Sequence, residues 1–252
     1  MLNVEWKGEV LHLELNRPEV RNAFDDRMIA ALTEEIKGAE GRARVILVSG
    51  AGRTFCAGGD LNWMKATASN SFDENRQDAL RLATLLRLMV DSSSIVVSAV
   101  QGSVFGGGCG LVCASDYTVA SEDAQFCFSE ARLGLVPAVI SPHVLAKIGA
   151  SQTRALFTTA IVFGADRAER IGLVHEVAPR ERLLERAWEI VKAVLNNGPT
   201  AAAKSKQVAM SSPMADEESA ALLAERRASQ EGQEGMSAFL EKRKPSWVRS
   251  EP

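Results

Sequence analysis

The sequence contains few of the residues that build metal and redox sites. Its 252 residues include four cysteines and three histidines, and no two cysteines form a C-x-x-C pair. No zinc-ligand spacing can be assembled from so small a set. Cys109 and Cys113 lie four positions apart and would share a helix face, which favours small buried packing residues over a metal or redox pair. We therefore expect no metal site, and reduced thiols as in a reducing compartment.

Long hydrophobic runs and an excess of positive charge are also missing. No segment approaches the ~20 apolar residues of a membrane span, and the N-terminus carries no apolar signal core. The formal net charge is -3, which gives no broad attraction to the phosphates of nucleic acids. With 46% hydrophobic and 24% charged residues, the composition is that of an ordinary globular protein. These features predict a cytoplasmic protein that binds neither membranes nor nucleic acid.

A glycine-rich stretch is the most informative part of the chain. The apolar, β-branched segment 95–100 predicts a buried strand, and the three glycines at 106–108 begin a small-residue segment that can be helical. The first amides of a helix have no intrahelical partner and favour negative charge, either on an anion or on a reacting carbonyl oxygen. The spacing matches neither of the two common phosphate-binding glycine motifs. Tight packing of a helix on a sheet is the alternative explanation.

A second strand followed by a glycine loop precedes this stretch. Residues 45–48 predict a short strand, and the segment 54–61 contains two glycines before Asp60, which is placed to cap a helix. Two strand ends thus present backbone amides beside glycines. Later in the chain, Glu130 follows an apolar strand predicted at 125–128. A carboxylate in such a place is by itself more often a surface or salt-bridged group.

The remaining pattern alternates strands and helices. Residues 4–15 predict an N-terminal hairpin, residues 66–73 a mobile loop, and residues 75–89 a long amphipathic helix. No strand is predicted beyond Pro199. We predict an α/β fold with a core at residues 1–197 and a helical oligomerisation region at residues 198–252.

Four motifs, in this order, resemble those of the enoyl-CoA hydratase/isomerase (crotonase) family over nearly the whole chain. They are Asn16-Arg17-Pro18 with Asn22-Ala23, residues 55–61, the glycines at 102 and 106–108, and Phe128-Ser129-Glu130 with residues 133–137. The resemblance implies a ClpP-like crotonase spiral of ββα units whose two sheets are nearly perpendicular. It also implies a helical C-terminal region that builds a homotrimer, often a dimer of trimers.

The same resemblance implies the chemistry. The substrate would be an acyl-CoA thioester, its carbonyl oxygen held in an oxyanion hole by the amides of Ala57 and Gly107, with Glu130 transferring protons. Both amides lie in glycine loops at the ends of predicted strands, where the sequence already indicated backbone amides that could bind a negatively charged oxygen. Coenzyme A would enter as part of the substrate, with no cofactor bound permanently. The residues that the resemblance places at the coenzyme A moiety are Arg21, Ala57, Gly59, Asp60, Leu61, Phe239 and Lys242.

Position 110 departs from the two-glutamate hydratases of the family. Those enzymes carry a second glutamate where this sequence has Gly110. Adding water needs a base for the water and an acid for the α-carbon, so Glu130 would have to perform both steps in turn. It could equally move a proton from C2 to C4, which is the reaction of a Δ3,Δ2-enoyl-CoA isomerase.

The wider sequence favours hydration. Residues 57–65, 106–112 and 126–142 resemble a bacterial branch of 3-methylglutaconyl-CoA hydratases of leucine breakdown, in which glycine at position 110 is usual. A glutaconyl substrate carries an extra carboxylate, for which His143, Lys65 and Arg81 are candidate partners. Besides isomerisation, a non-catalytic or RNA-binding scaffold is an alternative, as are thioester hydrolysis, decarboxylation and dehalogenation, which also occur in the superfamily.

Overall fold

The chain divides into two compact units in a computed structural model that describes residues 1–211 and 213–248. The first unit comprises Met1–Glu189 and the second Ile190–Pro252, with the boundary inside one helix, Leu183–Leu195. The strands of the first unit are β1 Leu2–Lys7, β2 Val10–Leu15, β3 Val45–Gly50, β4 Ile95–Val100, β5 Ser103–Phe105, β6 Tyr117–Ser121, β7 Gln125–Cys127, β8 Phe163–Gly164 and β9 Glu176–Ala178.

A six-stranded sheet in the order β1-β2-β3-β4-β6-β9 forms the centre of the first unit. The pair β1 and β2 is the predicted antiparallel hairpin, and the following neighbours in the sheet are parallel. Strand β3 is buried from Val45 to Ser49, as expected for a parallel strand that is covered on both faces.

A smaller sheet in the order β5-β7-β8 carries the segments of interest for function. Strands β5 and β7 are parallel, and an isolated parallel bridge joins Cys56 to Val104 on the other side of β5. The sequence did not predict β5, because three residues between two glycines are too few to show a periodic pattern. The order at the glycine stretch is therefore strand, turn, second strand, glycine turn and helix.

Helices cover the sheets and confirm most of the predicted periodicity. In α1, Asp26–Ala39, the apolar positions Met28, Ile29, Leu32 and Ile36 are buried, and Asp25 caps the helix. Helix α3, Phe72–Asp91, begins three residues earlier than predicted, because Ser71 and Glu74 form a capping box. The helices of the first unit are α1 Asp26–Ala39, α2 Leu61–Ala66, α3 Phe72–Asp91, α4 Gly107–Ala114, α5 Ser141–Thr159, α6 Ala165–Arg170 and most of α7 Leu183–Leu195.

The hydrophobic core of the first unit anchors the segments that carry Ala57 and Glu130. Phe55, Phe126 and Phe128 are among its largest fully buried side chains. Burying each such ring contributes about 1.5–3 kcal/mol relative to leaving it exposed. Phe55 stands two positions before Ala57, and Phe128 two before Glu130, so core packing fixes the backbone that carries both.

The second unit is helical. It contains the end of α7, then α8 Pro199–Met210, α9 Asp216–Ala228 and α10 Gln230–Leu240. The described residues of this unit include no strand, as predicted. The Glu231 carboxylate accepts hydrogen bonds from the amides of Thr200 and Ala201 at 2.9 and 2.7 Å, which ties α10 to the first turn of α8.

Candidate active site

Three parallel segments end side by side at the candidate site. Phe105 of β5 lies opposite Cys127 of β7, and the Gly106 amide donates to the Cys127 carbonyl at 2.9 Å. On the other side of β5, the Phe105 amide donates to the Cys56 carbonyl at 2.9 Å. The residues that follow these segments therefore come together. They are Ala57, Gly106 with Gly107, and Ser129 with Glu130.

The glycine turn opens α4. Gly106 has φ 50°, in the region that favours glycine, and Gly107 is the first residue of the helix. The Gly107 amide thus lacks an intrahelical partner, and it has no other acceptor among the described residues. The positive end of the helix dipole lies at the same place. The turn therefore offers a free donor for an oxygen on which negative charge develops.

The Glu130 side chain reaches the same turn. A β-carbon at position 106 would lie 3.4 Å from Glu130 Oε1, while Oε2 is buried without a hydrogen-bond partner in the described part of the chain. Burial raises the pKa of this carboxyl above its usual value, although a hydrogen bond from its own amide acts in the opposite direction. These properties are typical of a group that takes up and returns a proton.

The Ala57 amide, the other predicted donor, is engaged. It donates to the Arg21 carbonyl at 3.1 Å. Arg21 and Asn22 both have left-handed φ values, 56° and 53°, and the buried Asn22 side chain holds their turn by donating to the carbonyls of Ala51 and Thr54 at 2.9 and 2.7 Å. A substrate oxygen can therefore use the Ala57 N–H only in competition with the Arg21 carbonyl.

Position 110 is closed by apolar side chains. A β-carbon on Gly110 would lie 2.6 Å from Ile140 Cγ2 and 3.3 Å from Leu86 Cδ1. Ile140 is buried, so it cannot move into solvent. The space that a glutamate at position 110 would need is therefore filled by the side chain of Ile140.

Asp60 caps α2, as predicted, and both of its carboxylate oxygens are occupied. Oδ1 accepts from the Asn62 amide at 2.8 Å, and Oδ2 from Arg17 at 2.7 Å. Desolvation acts to raise the pKa of Asp60, but the hydrogen bonds from the Asn62 amide and Arg17 hold it below its usual value. Arg17 also pairs with Asp25, the cap of α1, at 3.0 Å. Arg17 thus joins the starts of two helices across the loop that carries Ala57.

The other residues predicted to contact coenzyme A remain predictions. Arg21 is exposed, and Leu61 is 72% exposed at the start of α2. A β-carbon on Gly59 would lie 3.3 Å from the sulfur of Met64. Phe239, which is 83% exposed, and Lys242 belong to the second unit.

His143 is half-buried in the first turn of α5. The charged groups that act on it are Asp91 and Arg87, in the last turns of α3, and burial lowers the pKa of its imidazole. The part of α3 beside Gly107 is Leu82, about two helical turns earlier. A role for His143 as partner of a substrate carboxylate stays a prediction.

The two other candidate cations differ in their partners. Arg81 forms an ion pair with Asp78, one turn before it on α3. Lys65, exposed at the end of α2, has no ion pair within the described residues. Lys65 is therefore the better candidate of the two for a substrate carboxylate.

The thiols have the packing role expected of them. All four cysteines are buried and free, and burial raises the pKa of Cys56 and Cys113 to about 12. Across the described ranges, no group of three or more His, Cys, Asp and Glu side chains could hold a metal ion. Within those same ranges, no helix combines the length and apolarity needed to cross a bilayer.

The sequence assigns no role to two residues of the site, although Ser129 lies within one of the four motifs. Ile140 fills the space beside Gly110, but it lies thirty positions later, and nothing in the sequence distinguishes it from other apolar residues. Ser129 comes before a short 3-10 turn, Glu130–Leu133, where serine is normally interpreted as a cap. Only the parallel pairing of β5 with β7 brings Ser129 to the glycine turn.

Comparison with known proteins gives consistent similarities. Residues 5–250 match the profile described as enoyl-CoA hydratase/isomerase. The 2,3-dehydroadipyl-CoA hydratase of Escherichia coli is 32% identical over 98% of each chain, and the crotonyl-CoA hydratase of Syntrophomonas wolfei is 30% identical over 98% of this chain and 97% of the relative. The crystal structure of an enoyl-CoA hydratase from Shewanella pealeana superposes with a TM-score of 0.91, at 35% identity over 98% of this chain and 95% of the other.

Proposed function

The chain belongs to the enoyl-CoA hydratase/isomerase family and is an enzyme of the enoyl-CoA hydratase type, and from that premise we propose that Glu130 adds water to, or removes it from, an α,β-unsaturated acyl-CoA. The observation that carries the proposal is the juxtaposition of Glu130 with the glycine turn. Its carboxylate faces Gly106, and within the described ranges neither its buried Oε2 atom nor the Gly107 amide has a hydrogen-bond partner. An acid–base group and an oxyanion donor are what this reaction needs.

Glu130 performs both proton transfers in this mechanism. The ionised carboxylate takes a proton from water as the water oxygen bonds to C3, and the C2=C3 π electrons move toward the thioester oxygen. The Gly107 amide stabilises the charge on that oxygen. Glu130 then returns the proton to C2. One C–O and one C–H bond form, one π bond and one O–H bond break, and the carboxylate is regenerated. The raised pKa of Glu130 makes its carboxylate a stronger base, which favours removal of the proton from water in the first step.

The oxyanion hole is completed by the Ala57 amide. For that, the thioester oxygen replaces the Arg21 carbonyl as the acceptor, or shares the N–H with it. Loss of one such donor costs about a hundredfold to a thousandfold in rate in other enzymes. The competition with Arg21 therefore makes Gly107 the donor that is available from the start.

A branched glutaconyl-CoA, such as 3-methylglutaconyl-CoA, is the acyl group that we propose. The support is the sequence resemblance together with the Escherichia coli relative, whose dehydroadipyl substrate by its name also carries a second carboxylate. Lys65, exposed and without an ion pair in the described part of the chain, would bind that carboxylate. The Syntrophomonas wolfei relative, named for an acyl group without one, is almost as similar, so the choice needs a direct test.

We extend the proposal to the coenzyme A contacts and to the assembly. Arg21, Phe239 and Lys242 would contact the coenzyme A moiety, and the chain would form a homotrimer or a dimer of trimers. The neighbouring Phe239 and Leu240 are 83% and 78% exposed, and exposed apolar pairs of this kind mark contact surfaces. Light scattering behind size-exclusion chromatography tests the assembly, and a monomer would contradict it.

Isomerisation of a 3-enoyl-CoA to a 2-enoyl-CoA is the second candidate. The observation that favours it is Ile140 in the space beside Gly110, since a single carboxylate suffices to move a proton between C2 and C4. Both reactions use the same Glu130 and the same Gly107 amide.

The test is a comparison of three esters. The protein is incubated with 3-methylglutaconyl-CoA, crotonyl-CoA and a 3-enoyl-CoA, and the absorbance of the conjugated thioester and the product mass are followed. Selective gain of one water by the methylglutaconyl ester supports the proposal. Selective hydration of crotonyl-CoA would overturn the proposed acyl group specificity. Conversion of the 3-enoyl ester alone, at constant mass, would show that the enzyme is an isomerase.

A further inference from the structure

Ser129 stands beside Glu130 at the glycine turn, and its hydroxyl has no structural task. Its Oγ makes no hydrogen bond to any described residue, although the backbone carbonyl of Ser129 accepts from Arg132 at 3.1 Å. Ser129 occupies the N-cap position of the turn Glu130–Leu133, yet its side chain does not cap it. Ser71, by contrast, caps α3 through its hydroxyl. Helix capping therefore does not explain a serine at position 129.

The hydroxyl and the carboxylate border the same small space. A β-carbon at position 106 would lie 3.7 Å from Ser129 Oγ and 3.4 Å from Glu130 Oε1, and the Glu130 carboxyl carbon is the next nearest atom. Because position 106 is glycine, with φ 50°, no side chain fills this space. It lies one residue from the free Gly107 amide, where the thioester oxygen of the proposed reaction binds.

We propose that Ser129 is a further catalytic residue, whose hydroxyl holds the reacting water between itself and the Glu130 carboxylate. A water molecule bound to one acceptor can rotate about that hydrogen bond, whereas two partners fix the direction of its lone pair toward C3. A serine hydroxyl both donates and accepts, so it binds water as the carboxylate takes the proton. Ser129 gives up no proton of its own, and the balance of the reaction is unchanged. The inference rests on the proposed hydration.

This assignment predicts a difference between two reactions of the same site. Hydration consumes water, whereas exchange of the C2 hydrogens of a saturated acyl-CoA with deuterium oxide needs only Glu130 and the oxyanion hole. Ser129→Ala should lower kcat for hydration by about tenfold to a hundredfold with little change in KM. It should change the C2 exchange rate by less than about twofold. Ser129→Thr, which keeps the hydroxyl, should restore most of the hydration rate.

Ser93→Ala serves as the matched control, because it deletes a partly exposed hydroxyl, two residues beyond the end of α3, that donates to Glu40 at 2.7 Å. It should change neither reaction. Equal losses of hydration and exchange in Ser129→Ala would show a structural role and overturn the inference. A hydration rate unchanged in Ser129→Ala would do the same while leaving the proposed function intact. A wild-type protein that hydrates no 2-enoyl ester would overturn the proposed function, and this inference with it.

Discussion

Ile140 occupies the space that a side chain on Gly110 would need, with its Cγ2 atom 2.6 Å from the position of the missing β-carbon. Both residues are buried, and Leu86 closes the same space from α3. The packing of α4 therefore requires glycine at position 110, and this glycine stands where a second carboxylate would be. A glutamate at position 110 would require a smaller residue at position 140.

Gly110→Ala should destabilise the protein. Alanine in place of glycine in a helix ordinarily stabilises by about 0.5–1 kcal/mol. Here the added methyl group overlaps a buried branched side chain, and overpacking of this kind costs about 1–3 kcal/mol, which outweighs the helical gain. The free energy of unfolding, measured by urea denaturation, should fall.

Gly38→Ala is the control for that substitution. Gly38 lies in α1, and nothing is within 4 Å of the place its β-carbon would take. This variant should gain about 0.5–1 kcal/mol. Adding Ile140→Ala to Gly110→Ala should remove the overlap, so that the two substitutions are less than additive. Full additivity would contradict the contact.

Gly107→Pro should remove the Gly107 N–H while leaving the helix start in place. Proline is tolerated at the first position of a helix but has no N–H to donate. If the Gly107 amide stabilises the thioester oxygen, kcat should fall by about a hundredfold to a thousandfold.

Gly107→Ala provides the comparison, because it adds the same β-carbon, 3.1 Å from the Phe24 ring, and keeps the N–H. The effect of losing the N–H is therefore the ratio of kcat in the proline variant to kcat in the alanine variant. Circular dichroism checks that both variants fold. Equal rates in the two variants would remove Gly107 from the oxyanion hole.

The sequence predicted the elements of this site better than their contacts. The hairpin, the buried face of α1 and the Asp60 cap follow from local periodicity and capping chemistry, and the structure has all three. The Ala57 amide lies in the glycine loop where it was predicted. Its hydrogen bond to Arg21, thirty-six positions earlier, depends on how two distant turns pair, which no local pattern records.

The same limit applies to partners that act through space. Glu130 could be singled out only through the resemblance of Phe128-Ser129-Glu130 and residues 133–137 to a family motif, because a carboxylate after an apolar strand is by itself more often a surface group. The fit of Ile140 against Gly110 depends on how the start of α5 approaches α4. The neighbours of His143 depend on the register of α5 against α3. Such tertiary contacts decide which of several plausible side chains reaches a site.

Arg17→Met should destabilise the first unit strongly. The Arg17 guanidinium lies between the carboxylates of Asp25 and Asp60, both only 5% exposed. Removing it leaves the buried Asp60 carboxylate without its counter-charge and leaves Asp25 with only the exposed Arg27, which costs about 3–5 kcal/mol. Thermal and urea denaturation measure the loss.

Arg27→Met is the matched variant, because Arg27 also pairs with Asp25, at 3.3 Å, but its side chain is 72% exposed. An exposed pair contributes about 0–1 kcal/mol. Similar losses in the two variants would contradict the role given to Arg17.

Glu130→Gln should change the pH dependence of stability. Burial raises the pKa of Glu130 above 4.5 in the folded protein, so the fold favours the protonated form. Its contribution to stability is present below the unfolded pKa and is lost as pH rises through the folded pKa. Relative to wild type, the glutamine variant should therefore gain stability over that range and then keep a constant advantage. Urea denaturation across the range measures the difference, and a pH-independent difference would show that burial does not act on this carboxyl.

The most direct test of the account is the product formed from a 2-enoyl-CoA in ¹⁸O-labelled water by the wild-type protein and by Glu130→Gln. We expect the wild type to place one labelled oxygen on C3. We expect the variant to bind the ester equally well and to lose turnover by several orders of magnitude, because one carboxylate performs both proton transfers. Labelled product from the variant at a near-normal rate, or no labelled product from the wild type with any 2-enoyl ester, would contradict the account.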